Sequence, residues 1–428
     1  MLTEKELEAA IDVILDRLDE VNGLFIKKVA EQIKKIGELG QANINGLVLM
    51  ADMGADVHEI NQKLTDATGL NIKDLYKIYA AAMQDTYTDP RFSAILEDAQ
   101  TGADGVKPST PPTVLTAPQS VPQGAENVSN APPTVSNDTK SVIKARLTQY
   151  TRAVAEQTAN TMINLSNTTA VSGAYKDAVD KAVASVSSGL TDYASVTREI
   201  VRSLGYNGLQ VDYESGYHRR LDTAVRQNIV DGANQIAQNG AKIIGDELGF
   251  DAYELSAHAA SAKDHEPVQG RVFLRAEFDK MQTGADFTGV DGKQYNGFRR
   301  PIGEWNCGHI AVPFDTKHSV RRYTDQQLTD WANENAAGCD IDGKHYSTYE
   351  ASQLMRKIET QVRRWKDAAN AAKAAGDDTL RQQCQKQINA LGSKYSQVAK
   401  TAGLPTKRER MAVEGFRAVK LKAEKQGE

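Results

Sequence analysis

The side chains best suited to chemistry are concentrated between Tyr253 and Phe314, where histidine, cysteine, tryptophan and arginine occur within a short stretch. Four of them are candidate metal ligands: His258, His265, Cys307 and His309. Zinc accepts imidazole nitrogen and thiolate sulfur, and three or four such ligands could converge from two loops. The spacing, a His-x6-His pair followed by a distant Cys-x-His, matches no standard zinc pattern. The residue types are compatible with zinc, but the spacing does not specify it.

Two other interpretations of the same residues remain open. Hydrogen bonds among short polar side chains would hold the loops together without a metal ion, which is the more common arrangement. Alternatively, the cluster is the centre of a metal-dependent hydrolase or of a Cys-His enzyme in which Cys307 attacks and His258 or His265 acts as base. An enzyme of this second kind also needs an oxyanion hole and a third orienting group, and the sequence marks neither.

Short strands are expected to position these residues. Apolar and polar residues alternate around Tyr253 and Leu255, and further short apolar runs cover 271–274 and 310–314. Asp-Gly pairs at 291–292 and 342–343 are typical of hairpin turns. These signals predict a small α+β core over residues 251–345.

The remainder of the chain has helical periodicity, so the predicted fold class is mostly α with a small α+β core. The expected segments are an acidic helical module (1–98), a Pro/Ser/Thr-rich flexible linker (99–140), a helical region (141–250), the α+β core (251–345) and basic C-terminal helices with a tail (346–428). Helix ends are expected at Gly205 and Gly208 and at the Asn239-Gly240 pair, because glycine and asparagine tolerate positive φ.

Charge is distributed unevenly along the chain. Residues 1–100 carry 18 acidic and 10 basic side chains, whereas residues 351–428 carry 17 basic and 8 acidic ones. Basic clusters neutralise phosphates, which makes double-stranded DNA a candidate partner of the C-terminal region. The candidate DNA-binding residues are Arg363, Arg364, Lys366, Lys407, Arg408 and Arg410. A solvated helix face or a site for an acidic protein would have the same composition.

Three cysteines are too few for a disulfide framework and favour a reducing compartment. The N-terminal residues show no signal-peptide pattern, and no apolar run is long enough to span a bilayer. We therefore expect a soluble intracellular product with no membrane partner.

Several motifs resemble those of the phage minor capsid proteins, which are distantly related to the Mu F-type head-morphogenesis proteins. The resemblance covers about residues 195–375, and its most specific parts are SAH…DH…QG at 256–270 and WNC.H at 305–309. The segment YTDQQLTDWANENAAG, at 323–338, is also similar. Where the family usually shows Ala-Arg-Pro between its two histidines, this chain has Ser-Ala-Lys at 261–263.

This resemblance implies a structural component of the virion, made in few copies and located in the capsid interior or at the portal vertex. Its implied partners are the portal protein and other head proteins, with assembly in the host cytoplasm and a role in head assembly and DNA packaging or delivery. Such proteins are not generally enzymes. The motifs also imply that Gly270, Trp305 and Asn306 belong to the structural core.

Overall fold

The structure is a computed structural model that describes residues 4–39, 46–69, 75–80, 136–169, 171–188, 193–296, 300–303, 307–317 and 319–421. Most of the predicted linker at 99–140 lies outside these residues, as do Trp305 and Asn306. None of the described helices is both long and apolar enough to cross a membrane.

Helices make up most of the described chain, which confirms the predicted fold class. The helices are α1 Glu4–Leu39, α2 Gly46–Thr68, α3 Asn137–Thr168, α4 Val171–Ser188, α5 Tyr193–Asn207, α6 Leu221–Glu247, α7 Arg275–Gln282, α8 Asp325–Ala337, α9 Thr348–Ala375 and α10 Asp378–Thr401. Residues 75–80 are also helical, and a 3₁₀ turn covers Arg408–Met411. The strands are β1 Gln210–Asp212, β2 His218–Arg220, β3 Ala252–Leu255, β4 Val272–Leu274, β5 Phe287–Thr288, β6 Gln294–Tyr295, β7 Ala311–Phe314, β8 Cys339–Ile341 and β9 Lys344–Tyr346.

The described residues form two compact units, each assembled from separate stretches of chain. The site unit comprises Met1–Ile11, Asn71–Asn160 and Gln227–Asn333. The helical unit comprises Asp12–Leu70, Thr161–Arg226 and Glu334–Glu428. Contacts distant in sequence therefore define both units.

A three-stranded antiparallel sheet in the order β4-β3-β7 organises the site unit. Tyr253 of the central strand pairs with Phe273 on one side and with Pro313 on the other. Every residue of β3 and β7 is buried. Since both strands lack an exposed face, the segments that adjoin them are held near the core. The segment that follows β3 carries His258 and His265, and the segment that precedes β7 carries Cys307 and His309.

Two predicted hairpins are confirmed. Strands β5 and β6 pair around the Asp-Gly turn at 291–292, and β8 and β9 pair around the turn at 342–343. In the second turn Asp342 has φ 52° and Gly343 has φ 76°. Two successive positive φ values are the requirement of a type I′ hairpin turn, which explains the Asp-Gly sequence.

The helical unit is built around the α9–α10 pair. Ser347 accepts a hydrogen bond from the Glu350 amide, and Glu350 reaches back to the Ser347 amide, which forms a capping box at the start of α9. Gly376, with φ 76°, ends α9. Tyr395 donates to Glu359 over 2.7 Å. Since these two residues lie at similar distances on either side of the turn, the helices are antiparallel.

Of the predicted helix ends, the one at Gly208 is confirmed, and those at Gly205 and at the Asn239-Gly240 pair are wrong. Helix α5 ends at Asn207, directly before Gly208 with φ 61°. It passes through Gly205 close to α9, where a Cβ would lie 2.5 Å from the Cα of Ala368, and only glycine permits this approach. Helix α6 continues through the Asn239-Gly240 pair to Glu247. Asn239 donates to the carbonyl of Gln235 one turn earlier and to the Tyr150 hydroxyl, so its side chain supports the helix instead of ending it.

Candidate metal centre

The structure brings three of the four candidate ligands together in the site unit. His265 lies in the connection between β3 and β4, and Cys307 and His309 lie just before β7. The Sγ of Cys307 is 3.1 Å from Nδ1 of His265 and 3.5 Å from Nδ1 of His309. One donor atom from each residue lies within 4.8 Å of the other two. All three residues are buried, with exposures of 0 %, 2 % and 3 % for His265, Cys307 and His309.

The hydrogen bonds of His265 determine its tautomer. Its Nε2 lies 2.8 Å from the backbone carbonyl of Arg300, which can only accept a hydrogen bond. Nε2 therefore carries the proton in the neutral ring, and Nδ1 presents a lone pair toward Cys307. Asp264 fixes the Arg300 side chain through contacts of 2.9 and 3.2 Å. The accepting carbonyl is thus part of an anchored segment.

Gln269 determines the tautomer of His309 in the same way. Its Oε1 accepts from the backbone amide of His258 at 3.1 Å, which identifies this atom as the amide oxygen. The same oxygen lies 3.2 Å from Nε2 of His309, so Nε2 is the donor. Nδ1 of His309 then directs its lone pair toward Cys307. Both imidazoles consequently offer a free nitrogen to one sulfur atom.

Burial keeps the metal-free cluster electrically neutral. It lowers the pKa of His309 to about 3, with further lowering from His258 and His265. Burial also lowers the pKa of His265 and raises the pKa of the Cys307 thiol. A buried thiol with a raised pKa is a poor nucleophile, because the reactive species is the thiolate. The geometry therefore favours binding of a cation over attack by Cys307.

His258, the fourth candidate ligand, is outside this three-residue group. It is exposed, and its ring stacks on the ring of His309 with centroids 4.5 Å apart. Gly270 closes the same connection with φ 66°, and a Cβ there would come within 2.5 Å of Leu328. His258 thus packs against His309, and position 270 requires glycine because of its positive φ and the lack of space for a Cβ.

Sequence reasoning missed two groups of this site. One is Gln269, which orients His309 and immediately precedes Gly270 in the QG motif. The motif could have identified it. The other is the Arg300 carbonyl, and a backbone oxygen leaves no signal in a sequence. Together these groups supply the outer hydrogen bonds of the cluster.

The candidate DNA-binding residues of α9 make contacts within the helical unit. Arg363 donates to Asp222 at 3.2 Å, and Arg364 lies over the Tyr206 ring at 5.4 Å. Lys366 donates to the Met411 carbonyl at 2.6 Å. Burial lowers the pKa of Lys366. These three side chains therefore contribute to the packing of the unit.

The three candidates in the tail lie at or near the surface. Arg408 is exposed and donates to Ser396 at 2.8 Å, while Lys407 and Arg410 are half-buried. The backbone amide of Lys407 donates to the Tyr395 hydroxyl. The tail is accordingly fixed to the helical unit, with part of its positive charge facing solvent.

The fold and this site define a class of mostly helical proteins that have a small α+β core and a buried Cys-His cluster. The family model of phage minor capsid protein 2 matches residues 116–398, and the chain belongs to this family. No curated protein and no solved structure matches the chain. Family membership assigns the chain a structural role in the virion, in association with other head proteins, and favours a role without enzymatic activity.

Proposed function

We propose that this chain acts at the portal vertex or in the capsid interior, where it contributes to head assembly and to DNA packaging or delivery. The observation that carries the proposal is the match of residues 116–398 to a minor capsid family. A minor head protein is made in few copies, and the portal vertex is a location that such a number suits. Its expected partners are the portal protein and neighbouring head proteins.

The surface of the helical unit supports a contact with packaged DNA. Two backbone carbonyls of the tail, those of Arg417 and Lys420, accept from Arg381 at 3.3 Å and from Gln382 at 3.1 Å. These bonds attach the tail to α10 through its backbone. The side chains of Arg417 and Lys420 remain exposed. Exposed cations on a fixed backbone suit electrostatic contact with phosphates, which needs no particular base sequence.

Cross-linking of purified virions, followed by mass spectrometry, tests this location. We expect cross-links between this chain and the portal protein, with peptides from the helical unit cross-linked to DNA in filled heads only. Heads without DNA provide the control for the DNA cross-links. Cross-links restricted to the outer capsid surface would overturn the proposed location, and absence of the chain from virions would overturn the function as a whole.

A further inference from the structure

We propose that His265, Cys307 and His309 bind one zinc ion, which fastens the connection from β3 to β4 to the segment that leads into β7. This inference is independent of the location in the head, because it concerns only the site unit. Its first support is the position of the donor atoms. Zinc bonds of about 2.3 Å to sulfur and about 2.0–2.1 Å to nitrogen separate sulfur and nitrogen by about 3.6 Å in a tetrahedron. The observed sulfur–nitrogen separations are 3.1 and 3.5 Å.

The second support is the number of protons available within the cluster. The two imidazole nitrogens that face Cys307 both carry lone pairs, because His265 and His309 use their protons on Arg300 and Gln269. The thiol has one proton, so it can donate to only one of the two nitrogens. A buried acceptor without a donor is costly. A divalent cation satisfies both nitrogens and the sulfur together, and the thiol proton leaves to solvent when the ion binds.

The third support is the outer hydrogen bonding. Histidines that bind metals usually donate their second ring nitrogen to a carbonyl or a carboxylate, which fixes the ring and its tautomer. The Arg300 carbonyl performs this role for His265, and the Gln269 side chain performs it for His309. The same bonds hold both rings in the orientation that a metal ion requires. The cost of ordering the ligands on binding is therefore small.

The position of the site in the fold defines its role. His265 belongs to the connection from the central strand to β4, while Cys307 and His309 precede β7 on the opposite side of β3. An ion bound to all three would close the loops around the sheet and resist their separation. The burial of all three ligands restricts access by a large substrate. The expected role is therefore the stabilisation of the site unit.

Zinc binding by the full-length chain is the direct test. The metal-depleted chain is incubated with zinc chloride, desalted and analysed by elemental mass spectrometry. We expect about one zinc per chain, as for a single site with Cys and His ligands. The Tm should increase by several degrees and continue to rise with zinc concentration, since ligand binding to the folded state stabilises it by mass action. A wild-type chain that retains no zinc would overturn the proposal.

Matched variants locate the ion. Cys307→Ser and His309→Ala should each lose the bound zinc and the zinc-dependent increase in Tm. Cys339→Ser and His345→Ala should retain both, because these residues lie in the β8–β9 hairpin of the helical unit. Loss of zinc from the control variants, with retention in the first pair, would place the site elsewhere and overturn the assignment.

Alkylation of the wild-type chain covers the case in which the ligand variants do not fold. The buried Cys307 thiol can react with iodoacetamide only when the site unit opens locally. Bound zinc should slow this reaction, because the ion holds the site closed and occupies the sulfur, and it should leave the rate at Cys339 unchanged. Peptide mass spectrometry reads both sites in one sample. Equal modification of Cys307 with and without zinc would overturn the proposal.

Discussion

Arg220 and Asp367 form a buried ion pair in the helical unit, with Nη1 of the arginine 2.9 Å from Oδ2 of the aspartate. Their exposures are 5 % and 4 %. Asp222 extends the pair, because it accepts from Arg220 at 3.3 Å and from Arg363 at 3.2 Å. Two cations and two anions therefore alternate along one network that joins β2, α6 and α9 and is buried except at Arg363.

Removal of one member of this network should be strongly destabilising. Replacement of Arg220 by methionine leaves Asp367 buried without its main partner, and the loss of one member of such a pair costs about 3–5 kcal/mol. Urea denaturation measures the change in the free energy of unfolding. The neighbouring Arg219→Met serves as control, since Arg219 lies over the exposed Tyr217 ring at 5.5 Å. An equal loss in the free energy of unfolding for the two variants would show that the buried pair contributes no more to stability than Arg219.

Asp19 should make stability depend on pH near neutrality. Burial raises its pKa to about 7, with further increases from Asp222 and Asp367. In the unfolded chain an aspartate has a pKa of about 3.9. Between these values the folded chain holds a proton that the unfolded chain has lost. Stability from this residue therefore falls as pH rises from about 4 to about 7 and does not fall further above that.

The variant Asp19→Asn removes this titration. Its free energy of unfolding should fall less between pH 5 and pH 7 than that of the wild type. The stability of the variant relative to the wild type should therefore be greatest above pH 7. Urea denaturation at about pH 5, 6 and 8 measures the difference. Asp16→Asn, an exposed change in the same helix, is the control. Parallel pH profiles for wild type and Asp19→Asn would contradict the assignment.

Local signals predicted the strands of the site unit correctly, because alternation and Asp-Gly turns act over a few residues. The same reasoning missed the β1–β2 hairpin, which lies within the stretch predicted as a helical region (141–250) and directly precedes α6. Apolar spacing continues through this position, so periodicity could not separate the strand from the helix. Asp212 and His218 face each other across this hairpin, with 2.6 Å between their side chains, and this cross-strand contact leaves no signal in the apolar periodicity.

The candidate site was predictable in composition but not in geometry. Residue types identified Cys307, His309 and His265 as candidate ligands. Their convergence depends on the contact between Cys307 and His265, which are 42 residues apart and meet because β3 lies at the centre of the sheet. His258 lies outside the group and stacks on His309, and no spacing rule predicts either feature.

Two helical glycines should respond to alanine with opposite signs. Gly205→Ala places a methyl group 2.5 Å from the Ala368 backbone, which cannot rotate away, so α5 and α9 must separate. Overpacking of this kind costs about 1–3 kcal/mol or more. Gly392→Ala in α10 meets no atom within 4 Å and should stabilise the helix by about 0.5–1 kcal/mol. Thermal denaturation of both variants gives the signs, and a stabilised Gly205→Ala would contradict the close approach.

Gly270 and Gly292 form a second matched pair, because both have positive φ, 66° and 76°. Alanine at either position incurs the backbone cost of about 1–2 kcal/mol. At Gly270 the new methyl group also meets Leu328 at 2.5 Å, whereas nothing lies within 4 Å at Gly292. Gly270→Ala should therefore be the more destabilising variant by about 1–3 kcal/mol in urea denaturation. Equal losses would show that Leu328 moves aside without cost.

Binding to duplex DNA should depend on the exposed cations of the tail. The double variant Arg417→Gln, Lys420→Gln removes two positive charges from side chains that are exposed. If both contact phosphates, the slope of log affinity against log salt should become shallower by about 2, and affinity at low salt should fall for every sequence alike. Mobility-shift titrations at several salt concentrations measure both quantities.

The charge-matched control for this experiment is Lys63→Gln, Lys181→Gln. These lysines are also exposed and belong to α2 and α4 of the same unit, so the net charge changes equally. Long-range attraction by net charge alone would weaken binding in both double variants to the same extent. If the tail contacts DNA directly, only the tail double variant should bind more weakly. The reason is that the number of displaced counterions depends on the phosphates neutralised at the interface. Equal salt slopes for the two variants would remove the tail from the DNA-binding surface.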